Sequence, residues 1–239
     1  MFLYISLLTL LHVPSFQEKI GEEIGTYLSG LTGSEVKIGR LDISLLNQFV
    51  ISDIELNDPD GKKICSIDRA LARIEILPLF RDEIVLSSVQ LFGVDAHLNK
   101  SDPSGPLNIQ YLIDRFRSED NEGQSLKLSL QTVVVRNGRI NYDILSSPPK
   151  VGIFDLNHIH VDSLDLVCNV HSLQSDSIDI DINELTFKER VSNLSLSSFT
   201  SRIQSDSERL VLSNPEIMVN DNEISSSSIE ISKFFLSGV

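Results

Sequence analysis

The 239-residue chain has no tryptophan, two methionines, two cysteines and only 6% aromatic residues. Without Trp and with few other rings, it lacks a stacking platform for carbohydrate. Cys65 and Cys168 are too few for a disulfide framework or a metal knuckle. Each sits in an apolar, strand-like context and reads as a buried thiol, with one long-range disulfide as the alternative. Basic residues are scarce, 20 Lys and Arg against 34 Asp and Glu, giving a formal charge of −14. Nucleic acid requires clustered Lys and Arg against its phosphates, and anionic lipid requires a polybasic patch. Neither cluster exists, so the acidity reads as a solvated outer face.

Catalytic signatures are missing too. There is no G-x-S-x-G elbow, no Gly-rich phosphate loop, no H-E-x-x-H and no EF-hand loop. The expectation is a protein that is not an enzyme, with no catalytic residue, cofactor or metal. His158 and His160 are the only close His pair, and two apart on a strand they share a face with Asp162. No further ligand is identifiable, so the pair reads as a polar stretch of strand.

No apolar run is long enough for a full membrane span. Residues 1–13, MFLYISLLTLLHV, are uncharged and end at Pro14, whereas a spanning helix needs about 20 such residues. A signal peptide would show a basic start and small residues at a cleavage site, and both are absent. The expectation is the outer part of a transmembrane anchor beginning upstream of Met1. A buried strand or helix is the alternative.

The next segment is more regular. In residues 14–33, Phe16, Ile20, Ile24, Tyr27, Leu28 and Leu31 lie near a 3.6 period, with Glu18, Lys19, Glu22 and Glu23 on the other side. Pro14 suits the first turn, and Gly30 and Gly33 suit the end. The acidic polar side predicts an amphipathic helix docked over the end of a sheet. From Glu35 onward the texture is β. Turns are predicted at Asn57–Gly61 and at Arg136–Arg139. One inserted helix is predicted over 106–116, PLNIQYLIDRF, opened by Pro106, followed by a polar loop over 117–125. The Ser-, Asp- and Asn-rich C-terminal third reads as solvated strand faces.

Within the β region one rhythm recurs: apolar-x-apolar-x-x-apolar-x-apolar. It is met by Val36, Ile38, Leu41 and Ile43, by Phe49, Ile51, Ile54 and Leu56, and by Ile84, Leu86, Val89 and Leu91. It returns at Leu128, Leu130, Val133 and Val135, at Ile159, Val161, Leu164 and Leu166, at Ile180, Ile182, Leu185 and Phe187, and at Ile229, Ile231, Phe234 and Leu236. The central pair is polar each time. Successive strand side chains point to opposite faces, so two spacers would turn the second half outward. Keeping one apolar face requires a β-bulge or a bend at the polar pair. The pattern alone fits two architectures equally: a strongly curved open sheet with one apolar face, or a sandwich whose strands bend between sheets. The repeats at 84 and 128 are each followed by a Gly-containing turn and a second alternating run, FGVDAHL and RNGRINY, as in a duplicated hairpin.

The order of these segments resembles the N-terminal part of AsmA/TamB-type proteins, envelope relatives of bridge-like lipid-transfer proteins. The carrying stretches are the apolar run ending at Pro14, LSGLTGSEVKIGRLDI, FVISDIELNDPDGKKICSIDRALARIEILPLF, EIVLSSVQLFGVDAHLNK and GPLNIQYLIDRF. They cover residues 1–116; beyond that only the β texture matches. The resemblance implies a mainly β fold: a curved, strongly twisted antiparallel sheet forming an open hydrophobic groove, the repeating β-groove. The implied layout is a partial transmembrane anchor at 1–13, an amphipathic helix at 14–33 and a β-groove region at 34–239, as a portion of a longer protein. It further implies inner-membrane anchoring, a periplasmic body, and carriage of phospholipid acyl chains between inner and outer membranes in outer-membrane biogenesis, with an outer-membrane barrel protein as a possible partner. The residues expected to line the groove are Ile38, Ile43, Ile54, Leu56, Ile74, Ile76, Ile84, Leu86, Val89, Leu91, Leu128, Leu130, Val133 and Val135. Two other readings stand beside it: a scaffold receiving client strands by β-augmentation, and an adhesin-like sandwich.

Overall fold

The computed structural model describes residues 14–44, 48–75, 83–112, 127–173, 177–206 and 208–232. The expected anchor at 1–13 lies outside them. No helix among the described residues is long and apolar enough to cross a membrane.

Helix α1 (Pro14–Thr32) begins at the proline the sequence marks. It ends where Gly33 takes φ 71°, with its N–H donating to Ser29 O at 2.9 Å. The Ser29 hydroxyl donates to Gly25 O at 2.7 Å and accepts from Val36 N at 2.8 Å, tying the last turn to the first strand. Gly21 and Gly25, four apart and both buried, let the helix backbone approach closely. A Cβ on Gly21 would lie 3.8 Å from the Leu41 Cβ, and one on Gly25 only 3.2 Å from the Val36 carbonyl oxygen. The helix therefore packs against the first strand, at one edge of the sheet, and it leaves Leu41 only 1% exposed.

The strands are β1 (Val36–Ser44), β2 (Gln48–Asn57), β3 (Lys63–Ile74), β4 (Glu83–Lys100), β5 (Lys127–Leu130) and β6 (Thr132–Ile144). They continue as β7 (His158–Leu173), β8 (Ile178–Glu189), β9 (Ser195–Ser205), β10 (Arg209–Val219), β11 (Asn222–Ser225) and β12 (Ser228–Ser232). All belong to one open sheet of order β1-β2-β3-β4-β6-β7-β8-β9-β10-β11, with β5 beside β4 and β12 beside β10. No second sheet covers it among the described residues, so the sandwich reading is set aside.

Two sequence expectations are corrected. Arg136–Arg139 is no hairpin turn, and FGVDAHL and RNGRINY are not returning arms. β4 and β6 run straight through these segments and pair in parallel at a constant offset, Val89 beside Val133 and Lys100 beside Ile144. Gly93 (φ 64°) and Asn137 (φ 54°) carry the left-handed conformation that favours turns, here used inside strands. The expected 106–116 helix does not start at Pro106. Leu107 bridges to Lys100, and helical structure begins at Gln110, with 113–116 outside the described residues. By contrast, Asn57–Gly61 does reverse the chain, Asp58 N donating to Lys62 O at 2.8 Å and Gly61 taking φ 82°.

Candidate functional site

Register joins the apolar positions of separate strands into rows. Leu41 pairs with Ile51, Ile51 with Ala70 and Ala70 with Leu91. Leu91 lies beside Val135, which pairs with Leu166, which pairs with Leu185. That single row crosses seven strands. A second runs Val36, Leu56, Cys65, Ala96, Ile140, Val161. A third runs Phe49, Ala72, Val89, Val133, Cys168, Ile182. The expected lining positions Ile38, Ile54, Leu56, Leu86, Val89, Leu91, Leu130, Val133 and Val135 fall on these rows or directly alongside. Ile43, Ile74, Ile84 and Leu128 occupy register positions opposite or beside Phe49, Leu86, Leu128 and Ile84 respectively. Ile76 lies outside the described residues. Most side chains on these rows are half-buried; Leu41, Ala70, Val135, Val161, Cys168 and Ile182 are buried.

The two-residue spacer is accommodated in two ways. Ser87 is a true bulge: Arg73 pairs with Ser88 but Ile74 pairs with Leu86. Asn183 is another, because Val167 pairs with Glu184 and Cys168 with Ile182. Beside Ser87, Gln131 separates β5 from β6 and donates its N–H to Leu86 O at 3.1 Å. At Gly39-Arg40 and Ser52-Asp53 there is no slip. The strands skip in step, and the row Gly39, Asp53, Asp68, Gly93, Asn137 stays out of the ladder across five strands. Asp53 takes φ 55° there. A Cβ on Gly39 would come within 2.8 Å of the Asp53 Cβ, and one on Gly93 would collide with the Asp68 carboxylate. β3 obeys the same rhythm through Cys65, Ile67, Ala70 and Ala72, which the sequence reading missed because alanine contrasts weakly with polar neighbours.

The opposite face carries the charge. Arg136 makes a two-pronged contact with Glu184 at 2.9 and 3.0 Å. Arg139 reaches Asp95 at 3.2 Å and Asp162 at 3.1 Å, and Arg202 holds Asp179 at 2.9 and 3.0 Å. The Arg69 guanidinium stacks 4.9 Å from the Phe92 ring centre. A polar depression of about 400 Å³ follows the unpaired row on this face, lined by Asp68, Asp95, Arg139 and Asp162 among others. Hydrogen bonds from Arg136 hold Glu184 below the usual carboxylate range, and those from Arg202 do the same for Asp179.

His158 and His160 do not gather Asp162, which binds Arg139 instead. They converge on Asp143, whose Oδ1 lies 2.7 Å from His158 Nδ1 and 3.0 Å from His160 Nε2. Nε2 of His158 meets Ser147 O at 2.9 Å. The Asp143 hydrogen bond raises the buried His158 above the ordinary imidazole range. Burial opposes charge on Asp143, but the two imidazoles outweigh it and hold its pKa down. Among the described residues, no three His, Cys, Asp or Glu are placed to hold a metal. Glu189, fully buried, ends the second apolar row opposite Val161. Its carboxylate accepts from Ser192 N and Oγ, each at 2.6 Å, from Val191 N at 3.1 Å and from His160 N at 3.2 Å. Both cysteines are free, and burial, aided by Asp95, pushes the Cys65 thiol up to about 11.

Compared with known proteins, the chain matches no family model and no curated protein.

Proposed function

We propose that the protein is a non-enzymatic carrier of phospholipid acyl chains, an AsmA/TamB-like segment whose apolar sheet face forms one wall of a lipid groove. The observation that carries this reading is the set of aliphatic rows crossing an open sheet whose reverse face is charged, with no second sheet over them among the described residues. Such a face shelters acyl chains at about 25 cal/mol per Å² withdrawn from water. The charged residue that ends the second row, Glu189, has its carboxylate bonded to Ser192, Val191 and His160 within the chain, and the rest of the three rows is aliphatic, aromatic or cysteine, which favours broad lipid selectivity. Bulges at Ser87 and Asn183 and the left-handed residues of the unpaired row add local twist, which supports a concave apolar side. Helix α1 then stops one end of the groove. Anchoring to an inner membrane, a periplasmic body and a role in outer-membrane biogenesis follow from the resemblance and are part of the same proposal.

The test is mass spectrometry of lipid extracted from the purified protein, with uptake of a fluorescent fatty acid as a second readout. Stoichiometric phospholipid, and uptake reduced by Leu91→Asp, are expected. Protein free of lipid that takes up no fatty acid would refute the carrier reading.

A further inference from the structure

The β6–β7 connection, residues 145–157, breaks the economy of the rest of the molecule. Elsewhere large apolar side chains lie mostly on the sheet face. Here five point to water: Leu145 (66% exposed), Val151 (91%), Ile153 (55%), Phe154 (42%) and Leu156 (72%). The loop is nevertheless firmly built. Asp155, 4% exposed, accepts from Lys150 N at 3.0 Å and Asn157 N at 3.1 Å. Ile144 N donates to Asn157 O at 2.8 Å, and His158 Nε2 meets Ser147 O. Leu145 N and Ser146 N donate to Lys100 O and Ser101 O of the neighbouring loop. Gly152, with φ 77°, makes the tip beside Val151.

The polar backbone is thus partly spent inside the loop while the aliphatic and aromatic groups project. Between Leu145 and Asn157 the only charged residues are Lys150 and the buried Asp155. The loop is stapled and nearly uncharged, and it exposes aliphatic and aromatic groups close together in the chain. It matches the interfacial zone of a bilayer, which accepts apolar side chains without a complementary contour and places a lysine at the phosphates. The loop directly follows Ile144, the last residue of β6.

We propose that the 145–157 loop docks the protein onto a lipid bilayer by inserting Val151, Ile153, Phe154 and Leu156 beneath the headgroups. This rests on the acyl-chain carrier reading for its purpose. The formal charge of −14 selects zwitterionic over anionic lipid, since an acidic body is repelled by an anionic surface.

The experiment is flotation of the full chain with phosphatidylcholine vesicles, comparing wild type with Val151→Asp and with Phe154→Ser. Both sites are solvent-facing, and thermal melting checks that the variants fold. Residues 1–13 are present in every protein, so differences report the loop. Partition is expected to fall about tenfold or more for Val151→Asp, because a charge is forced into the interface. Fatty-acid uptake measured without vesicles should be unchanged. Equal flotation of wild type and both variants overturns the proposal. Loop-dependent flotation by a protein that takes up no fatty acid would overturn the carrier reading alone.

Discussion

The first and last strands of the sheet follow the same alternation yet end in opposite conditions. In β1 the apolar side lies under α1, and Leu41 is 1% exposed. In β12, Ile229 and Ile231 are 37% and 47% exposed. Both ends have the aliphatic residues a strand needs. What differs is whether another element lies across them. Alternation therefore specifies which side a residue takes, and the glycines of a neighbouring helix decide whether that side becomes core.

The largest effect that tests this contrast is Leu41→Ala. It should cost about 2–5 kcal/mol in denaturant unfolding, because the cavity lies between two packed elements. A loss under about 1 kcal/mol would mean the helix is a loose cover and the contrast is false. Next comes Gly25→Val. Its Cβ would start 3.2 Å from the Val36 carbonyl, and the overpacking should cost about 1–3 kcal/mol. Limited proteolysis near Gly33 should speed up as the helix lifts; unchanged stability would show that the close approach is dispensable.

A third measurement probes the middle of the sheet by pH. His158 has a raised pKa, so its contribution is fully present below about pH 6.5 and fades as pH rises through the folded value. Asp143 has a lowered pKa, so its contribution is present above about pH 3.9 and fades as pH falls through the folded value. Asp143→Asn should therefore lower the urea midpoint most between about pH 4 and 6.5, with a smaller gap at about pH 9. A pH-independent gap would assign the pair a packing role only. The smallest effect belongs to the bare end: Ile231→Ser should change stability by no more than about 0.5 kcal/mol. A loss matching Leu41→Ala would show that β12 is covered in solution.

Much of the strand plan was legible because Ile, Leu and Val contrast sharply with Ser, Asp and Lys. The α1 boundary at Pro14 and the Asn57–Gly61 reversal were equally plain, since each rests on a residue with restricted or permissive backbone angles. Gly93 and Asn137 misled for the same reason. A positive φ serves a reversal and a bulge alike, and only the partner strand shows which is meant. The parallel neighbours β4 and β6 lay hidden because a pairing 44 residues apart leaves no local trace beyond the likeness of the two segments. Of the candidate site, the apolar side of each strand was readable, but the rows joining them depend on register. Glu189 and the Asp143 junction went unseen, because a buried carboxylate looks like any other until its donors converge. The outward residues of 145–157 carry no period and so gave no signal.

The parallel contact of β4 with β6 has a consequence for how the chain acquires its shape. β5 joins β4 in the same parallel sense, and the other pairings are antiparallel between strands close in sequence, so two meanders, β1–β4 and β6–β10, can each assemble from successive strands. Uniting them requires closure over the 26 residues from Ser101 to Leu126, and long-range closure is entropically slow. The seam should form last and open first, so that amides of β6 exchange with solvent through partial opening while those of β2 and β3 report on their own half.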